Sequence, residues 1–417
     1  MMFRLCQWAI VFCAVWGSAS RGLGQCANCG SAGHAHSGVA AGGQMVVGPD
    51  GVETWMPNGS ANCGRCGHTS EEDFLSKSCN DCLYNWGDEY SDISALSPRF
   101  MPRWSASADA IFLGRDVLGR VDYAALGTTG PFVLDTDNGF PIEFAAGVRG
   151  KVSRGIGEAF RVEGIYMSQL DWSQSASARD ITPNGIGGLG TLTSRWTNFG
   201  VAALVPGLDY NHLVTIDYTS EMENAELNLL HRSGFNCYAI ETSFVCGVRY
   251  FKLNETFNYL SAANSPAPLG AVNVIDVETR NELIGGQLGV LGGYKVTERI
   301  YLEFELKAAM CQNIASQNLL YRNTNTADGT LSLNRSRTDA GDGSLAVVGD
   351  TNLVANFQLA SSITLRLGYY AMWVDGVAIA HENVTDNFGT LGLGPGFLND
   401  NGTVVYHGPH VGLTLNW

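Results

Sequence analysis

Three close pairs of cysteines stand near the N-terminus, each with two residues between its members. They are Cys26 and Cys29, Cys63 and Cys66, and Cys79 and Cys82. Two such pairs can hold one tetrahedral zinc ion, because thiolates at this spacing reach a common metal. Disulfide bonds are the alternative that an exported chain favours, since its compartment is oxidising. We therefore predict disulfides here, with no metal, no cofactor and no catalysis.

Two further groups of residues could carry chemistry. Residues 135–139 read Asp-Thr-Asp-Asn-Gly, which offers the oxygen ligands and the glycine of a calcium loop. Ala146 stands where the closing glutamate of such a loop belongs, so a turn between strands is the better interpretation. His407 and His410 lack a serine or an acid at a known catalytic spacing, which favours a structural position. The sequence therefore predicts no enzyme active site.

Charged residues that alternate with apolar ones are the remaining candidates. In residues 299–312 (RIYLEFELKAAMCQ) every second residue is apolar, and Glu303, Glu305 and Lys307 lie between them. A period of two indicates a strand. If the apolar rows face lipid, the charged rows of this and similar segments face an enclosed lumen. The predicted lumen residues are Glu143, Arg149, Lys151, Arg161, Glu163, Glu226, Glu241, Arg249, Glu303, Glu305, Lys307 and Arg366.

Ten segments between residues 104 and 417 show this alternation, and the connections between them are short and long in turn. That asymmetry is typical of outer-membrane barrels, which have short periplasmic turns and long external loops. Twelve strands result if residues 213–218 and 255–260 are additional strands, whereas the stretches 170–220 and 313–343 are otherwise predicted as loops. We expect an all-β fold, an antiparallel up-and-down transmembrane β-barrel of about 10–12 strands.

The N-terminal quarter differs from the rest of the chain. Residues 1–25 have one early charge, a short apolar run and then small residues, which predicts a cleavable signal peptide. Residues 26–103 are rich in Cys and Gly and predict a largely unstructured extension. No stretch beyond the signal is long and apolar enough for a spanning helix. The predicted organisation is therefore 1–25 signal, 26–103 extension and 104–417 barrel.

Composition narrows the class of protein. Hydrophobic residues make up 45% of the chain, charged residues 16%, and 51 of the 417 residues are Gly. A transmembrane barrel has this composition, because each strand turns only half of its residues to lipid. A large secreted β-sandwich would look similar, so a soluble adhesin stays open as an alternative. The net charge of −15 argues against nucleic acid as a partner, since such binding needs a basic surface.

Several short segments carry a resemblance to a known family. They are AELNL at 225–229, GVRYFKLNE at 247–255, RN at 280–281 with GGQLG at 285–289, and LGYY at 367–370 with VDGVA at 374–378. In this order the chain resembles the bacterial putative β-barrel porin family. The resemblance implies an outer-membrane barrel with no established catalytic residues. Trp417 is similar to the aromatic C-terminal residue by which the outer-membrane assembly machinery recognises its substrates.

The expected function is that of a porin-like narrow channel for small solutes or of a structural surface protein, in the bacterial outer membrane. A surface enzyme built on the barrel is a weaker alternative. A barrel of ten to twelve strands is narrow, and mixed charges in it could either line a path or pair and close it. The sequence leaves both possibilities open.

Overall fold

The computed structural model describes residues 43–47, 53–57, 104–117, 120–136, 143–157, 159–180, 190–201, 207–232, 240–263, 271–325, 331–341, 343–384 and 398–417. The predicted signal peptide and the six paired cysteines lie outside the described residues. Within the N-terminal extension, the described part is a hairpin of two short antiparallel strands.

Sixteen strands and two short 3₁₀ helices are described. The strands are β1 (Gly43–Val47), β2 (Glu53–Pro57), β3 (Trp104–Val117), β4 (Asp122–Leu126), β5 (Phe132–Asp135), β6 (Phe144–Ile156), β7 (Phe160–Arg179), β8 (Leu192–Ser194), β9 (Leu213–Arg232), β10 (Ile240–Ala262), β11 (Ala271–Lys295), β12 (Ile300–Asn325), β13 (Leu331–Ala340), β14 (Ser344–Ala360), β15 (Ile363–Val377) and β16 (Gly402–Asn416). The 3₁₀ helices are Arg195–Thr197 and Ala380–Glu382.

Ten of these strands close into one antiparallel barrel, in the order β3, β6, β7, β9, β10, β11, β12, β14, β15 and β16. The last strand pairs with the first, from Asn416 opposite Ser105 to Val404 opposite Val117. Backbone hydrogen bonds of 3.0 and 3.1 Å join Trp104 and Trp417 and complete the seam. The predicted all-β, up-and-down barrel is therefore confirmed, with ten strands.

The two faces of the barrel wall match the alternation in the sequence. On β12, Leu302, Phe304 and Leu306 are 38%, 44% and 48% exposed. Their neighbours Glu303 and Lys307 are buried in the interior. Because successive side chains of a strand point to opposite faces, one register holds the apolar row outside and the charged row inside.

The strands are longer than predicted at one end. Strand β7 continues to Arg179 and β9 begins at Leu213, so both extend into the stretch 170–220. Strand β12 runs on to Asn325 before β13 pairs back along it. These parts were predicted as loops because their outward residues are polar, so the apolar alternation that marks a strand in lipid is missing. Residues 213–218 and 255–260 extend β9 and β10, so they add no strands.

The two ends of the barrel differ. At one end, here the turn end, the connections are 157–159, 233–239, 296–299 and 361–362, and both Trp104 and Trp417 lie there. At the other, the loop end, the strands β7 and β9 to β12 extend into a tall wall. Strands β4, β5 and β8 form a separate three-stranded sheet in connections that start from this end.

Two further observations concern the described residues. None of the described segments is a helix long and apolar enough to cross a membrane. Cys246 on β10 is disulfide-bonded. Cys311 is a free, buried cysteine on β12.

Candidate functional site: the interior of the barrel

Most of the predicted lumen residues are buried in the barrel. Nine of the twelve are at most 9% exposed, namely Arg149, Glu163, Glu226, Glu241, Arg249, Glu303, Glu305, Lys307 and Arg366. Lys151 and Arg161 are partly buried. Glu143 is exposed and precedes the first residue of β6, so it does not join the others. Judged from the sequence, the alternating residues of this strand include Glu143. In the structure the strand begins one residue later, at Phe144.

Glu226 is the centre of the buried charges. Its carboxylate accepts hydrogen bonds from Lys307 Nζ at 2.6 Å and from Arg249 Nη2 at 2.8 Å. Three side-chain amides donate to the same carboxylate at 3.0 to 3.1 Å, those of Asn224, Asn228 and Gln287. Five donors around one carboxylate stabilise its charged form and hold it rigidly.

Asp350 and Glu305 extend this cluster to β14 and along β12. Lys307 Nζ lies 2.9 Å from Glu305 Oε1 and 3.5 Å from Asp350 Oδ1. Arg249 Nη2 also bonds Asp350 Oδ2. Strand β10, which carries Arg249, is three places away from β14 in the ring of ten, so this contact passes through the lumen rather than along the wall.

Two further ion pairs join opposite sides of the barrel. Arg149 Nη2 on β6 lies 3.5 Å from Glu305 Oε2 on β12, and Lys151 Nζ lies 3.9 Å from Glu303 Oε1. These two strands are five places apart in a ring of ten, which makes them diametrically opposite. The side chains therefore meet across the full width of the lumen.

The buried charges nearly cancel. Five cations, Arg149, Lys151, Arg249, Lys307 and Arg366, face six acids, Asp109, Glu163, Glu226, Glu303, Glu305 and Asp350. We call these eleven residues the ionic layer. Buried charges are tolerated when they are paired and hydrogen-bonded, and removing one partner leaves a costly uncompensated charge.

Sequence reasoning missed two members of the ionic layer. Asp109 lies on β3 and its Oδ1 is 3.2 Å from Arg366 Nε. Asp350 lies on β14, at the same phase as the polar Asn352 and Asn356. Both residues lie on the polar row of a strand whose other row is apolar. Following the alternation of β3 and β14 over all of their residues would therefore have found them.

An apolar layer lies next to the ionic layer, toward the loop end. It contains buried side chains from all ten barrel strands, among them Leu113, Trp172, Met222, Phe251 and Met372. Trp172 and Tyr406 pack with ring centroids 5.2 Å apart, and Trp172 Nε1 donates to the Leu113 carbonyl at 3.0 Å. A second apolar cluster follows in the tall wall and includes Tyr123, Trp196 and Phe257. The interior is therefore filled along most of its length.

Residues 378–384, here the strap, cross the loop end of the barrel. Instead of leaving the barrel after β15, this segment turns inward, and Ala378, Ile379 and Ala380 are fully buried. Asn281 bonds Ala378 twice, donating from Nδ2 to its carbonyl at 2.8 Å and accepting from its N–H at 2.7 Å. Glu255 Oε2 accepts the Ala380 N–H at 2.9 Å. Side chains of β10 and β11 thus satisfy a buried backbone that has no strand partner of its own.

His381 lies within the strap and is 5% exposed. Its ring packs edge-on against Tyr218 at 5.8 Å between centroids. Burial, with the nearby positive charges of Arg115 and Arg195, lowers the pKa of His381 to about 3. The neutral imidazole is the form that this site accommodates.

The other candidate sites are structural where they are described. Asp135 is buried at the end of β5 and its Oδ2 lies 3.0 Å from Arg120 Nη2. His407 bonds Tyr369 Oη at 2.7 Å, and His410 Nε2 lies 2.8 Å from Asn352 Oδ1. Among the described residues, no group of three His, Cys, Asp or Glu side chains could hold a metal ion.

Comparisons of structure find outer-membrane barrels of low sequence identity. The outer-membrane protease OmpT of Escherichia coli is similar with 10% identity and a TM-score of 0.42, over 75% of this chain and 96% of that one. A major outer-membrane protein of Thermus thermophilus is similar with 12% identity and a TM-score of 0.26, over 75% and 99%. A Pseudomonas aeruginosa FadL homologue is similar with 13% identity and a TM-score of 0.23, over 75% and 88%.

Comparisons of sequence give one informative result. No curated protein matches the chain. A profile of the family described as Putative beta barrel porin-7 (BBP7) matches residues 206–417, which include strands β9 to β16 of the barrel. The chain therefore belongs to the Putative beta barrel porin-7 family, as an outer-membrane β-barrel protein that lies in the lipid bilayer.

Proposed function

We propose that this protein is a structural surface barrel whose lumen is closed in the folded state, rather than an open channel for solutes. The observation that carries the proposal is the pair of contacts between diametrically opposite strands, Arg149 with Glu305 and Lys151 with Glu303. Side chains from opposite walls meet there, and Arg149, Glu303 and Glu305 are each at most 7% exposed, which supports a closed lumen.

The width of the barrel supports this proposal. Ten strands spaced about 4.8 Å apart and tilted by about 40° form a ring with a backbone diameter of about 20 Å. Eight-stranded barrels are filled by side chains, whereas sixteen-stranded porins hold an open channel. Long side chains such as Arg149 and Glu305 reach one another in a ten-stranded ring, so the ionic layer closes it.

The apolar layer closes the same lumen a second time. An ion that passed the ionic layer would next meet side chains such as Leu113, Phe251 and Met372. A dry apolar constriction excludes ions, because they would lose their hydration without gaining polar partners. Two unlike barriers in series support a role that does not depend on conduction.

The proposal includes a non-enzymatic role at the cell surface. By the usual orientation of such barrels, the turn end faces the periplasm and the loop end faces outward. The tall wall and the sheet of β4, β5 and β8 would then be the surface that the protein presents. The polar side chains that meet inside are buried in ion pairs, where a substrate has no access.

We also propose how the chain reaches the membrane. Residues 1–25 would direct export as a cleavable signal peptide. The last strand, β16, ends beside Trp417, which is 63% exposed at the turn end. An exposed aromatic residue at this position would be available to the assembly machinery before the β3–β16 seam closes.

Planar-bilayer recording of the refolded full chain tests the proposal. Heat-modifiable mobility on gels first establishes that the barrel is folded. We expect no stepwise conductance from folded protein at a range of voltages, because both barriers stay in place. Regular conductance steps in proportion to the amount of folded protein would overturn the proposal and identify a narrow channel.

A further inference from the structure

Four neighbouring strands of the ring, β14, β15, β16 and β3, carry polar side chains that face the interior in and beside the ionic layer. Six polar side chains on three of these strands contain a buried atom with no hydrogen-bond partner in the described part of the chain. They are Ser107, Asp109, Asn352, Asn356, His410 and Thr414. We call them the polar cluster. The first five are at most 8% exposed, so bulk solvent does not reach them.

Gly412 allows Asp109 to reach across a strand. It faces the interior of β16, opposite Asp109 on β3 and opposite Arg366 on β15, and a Cβ at this position would collide with Asp109 Oδ1. Because the Cβ is missing, the Asp109 carboxylate lies over β16 and its Oδ1 comes within 3.2 Å of Arg366 Nε. The second carboxylate oxygen, Oδ2, has no partner among the described residues.

Gly368 has the same role for His410. It faces the interior of β15, opposite His410, and a Cβ at this position would collide with the imidazole. The ring therefore lies over β15, and its Nε2 is 2.8 Å from Asn352 Oδ1 on β14. This contact leaves His410 Nδ1 and Asn352 Nδ2 without partners in the described part of the structure.

Asn356 is the clearest member of the polar cluster. Its side chain is 0% exposed, and neither its amide oxygen nor its amide nitrogen has a partner among the described residues. Thr414 and Ser107 stand opposite one another on β16 and β3, each with an unpartnered hydroxyl. Buried polar groups in proteins are almost always hydrogen-bonded, and ordered water supplies the partner where the protein does not.

The unpartnered atoms suit water better than an ion. Asn352 and Asn356 each supply an amide N–H donor, whereas Asp109 Oδ2 and Asn356 Oδ1 are acceptors. A water molecule donates to some of these atoms and accepts from others, with about three hydrogen bonds for each buried molecule. Asp109 would repel an anion and Arg366 would repel a cation, and the ion pair between them already balances their charges.

We propose that the polar cluster is a binding site for ordered water molecules inside the barrel. These waters would complete the hydrogen bonds of the six side chains and join the two sides of the β3–β16 seam. The alternative is a dry cluster whose polar groups remain unpaired. The side chains concerned are buried whether or not the lumen conducts, so the test of this proposal is separate from bilayer recording.

Asn356→Leu distinguishes the two alternatives by the sign of its effect. Leucine has nearly the shape of asparagine, with methyl groups in place of the amide oxygen and nitrogen. In a dry cluster the change removes unpaired polar groups and should stabilise the folded barrel. In a hydrated cluster it removes hydrogen bonds to water, so we expect the equilibrium constant for folding to fall by about tenfold. The measurement is equilibrium urea unfolding in lipid vesicles.

Asn281→Leu is the matched control. Asn281 is also 0% exposed, but its amide is bonded to the protein, donating to the Ala378 carbonyl at 2.8 Å and accepting the Ala378 N–H at 2.7 Å. This variant should lower the equilibrium constant for folding whether or not water is bound at the polar cluster. It therefore shows that the assay detects the loss of a bonded amide.

X-ray radiolytic labelling of the folded barrel detects the bound water more directly. The radiation converts water molecules to hydroxyl radicals, which oxidise the nearest side chains. His410 is 4% exposed and should be oxidised faster than Met222, a fully buried residue of the apolar layer, although methionine is intrinsically the more reactive side chain. This measurement decides the proposal alone if Asn356→Leu does not fold.

Either of two results would overturn the proposal. One is an Asn356→Leu variant that is more stable than the unmodified barrel, because the amide of Asn356 was then dry. The other is oxidation of His410 no faster than that of Met222, because no water then lies beside the imidazole.

Discussion

Lys307 allows a direct test of the ionic layer. Its ammonium lies within 3.5 Å of three carboxylates, those of Glu226, Glu305 and Asp350. Together with Arg149 and Arg249, which contact the same acids, these six residues carry three positive and three negative charges. Lys307→Met keeps a side chain of similar length and leaves one buried negative charge uncompensated.

Breaking a buried ion pair by removing one partner costs about 3–5 kcal/mol. We therefore expect Lys307→Met to lower the free energy of unfolding by that amount, which is a midpoint shift of about 2 M urea for an m-value near 2 kcal/mol per M. The measurement is equilibrium urea unfolding in lipid vesicles, followed by tryptophan fluorescence.

A second variant decides whether charge balance is the cause. In K307M/E226Q the remaining charges cancel again, because Arg149 and Arg249 face Glu305 and Asp350. We expect the free energy of unfolding of this double variant to be about 2 kcal/mol higher than the sum of the two single changes would give. The control is Lys252→Met, on the outward face, which should cost less than about 1 kcal/mol.

Two results would refute this reasoning. If Lys307→Met is no more destabilising than the Lys252 control, the ionic layer does not hold the barrel together. If the free energy of unfolding of the double variant falls by the full sum of the two single changes, packing rather than charge balance explains the effect.

Three further predictions concern other parts of the barrel. Leu306→Arg, at an outward position that is 48% exposed, should destabilise the folded barrel by about 2–4 kcal/mol in vesicles, whereas Leu306→Ile should be nearly neutral. Trp172→Ala should cost about 3–5 kcal/mol and still give no conductance in planar bilayers, because the ionic layer remains. His381 should make the strap acid-sensitive, because the pKa of His381 is lowered to about 3 in the folded protein. Its contribution to the free energy of unfolding is complete above about pH 6.5 and is lost as pH falls toward 3, by about 2 kcal/mol at pH 5. The protection of strap amides against hydrogen exchange should therefore decrease as pH falls through that range. His381→Gln should abolish this decrease, and an unchanged pH dependence of protection in that variant would refute the prediction.

The strands that cross lipid could be predicted from the sequence because two solvents act on their two faces. Lipid requires an apolar outward row, whereas the interior of the barrel accommodates the charged residues. Residues 299–312 therefore show a clear period of two. All ten strands were found in this way. Nine of the twelve residues of the predicted charged set are buried. The short and long connections also predicted which strands form hairpins.

The tertiary structure decided whether the charged rows line a path or close it. Alternation shows which face a side chain takes, but not which residue it meets across the lumen. The contact between Arg149 and Glu305 joins residues 156 positions apart in sequence and depends on the ring order that makes β6 and β12 opposite. The apolar layer was hidden for a related reason: near Phe251 and Val348 the inward residues are apolar too, so no alternation marks them.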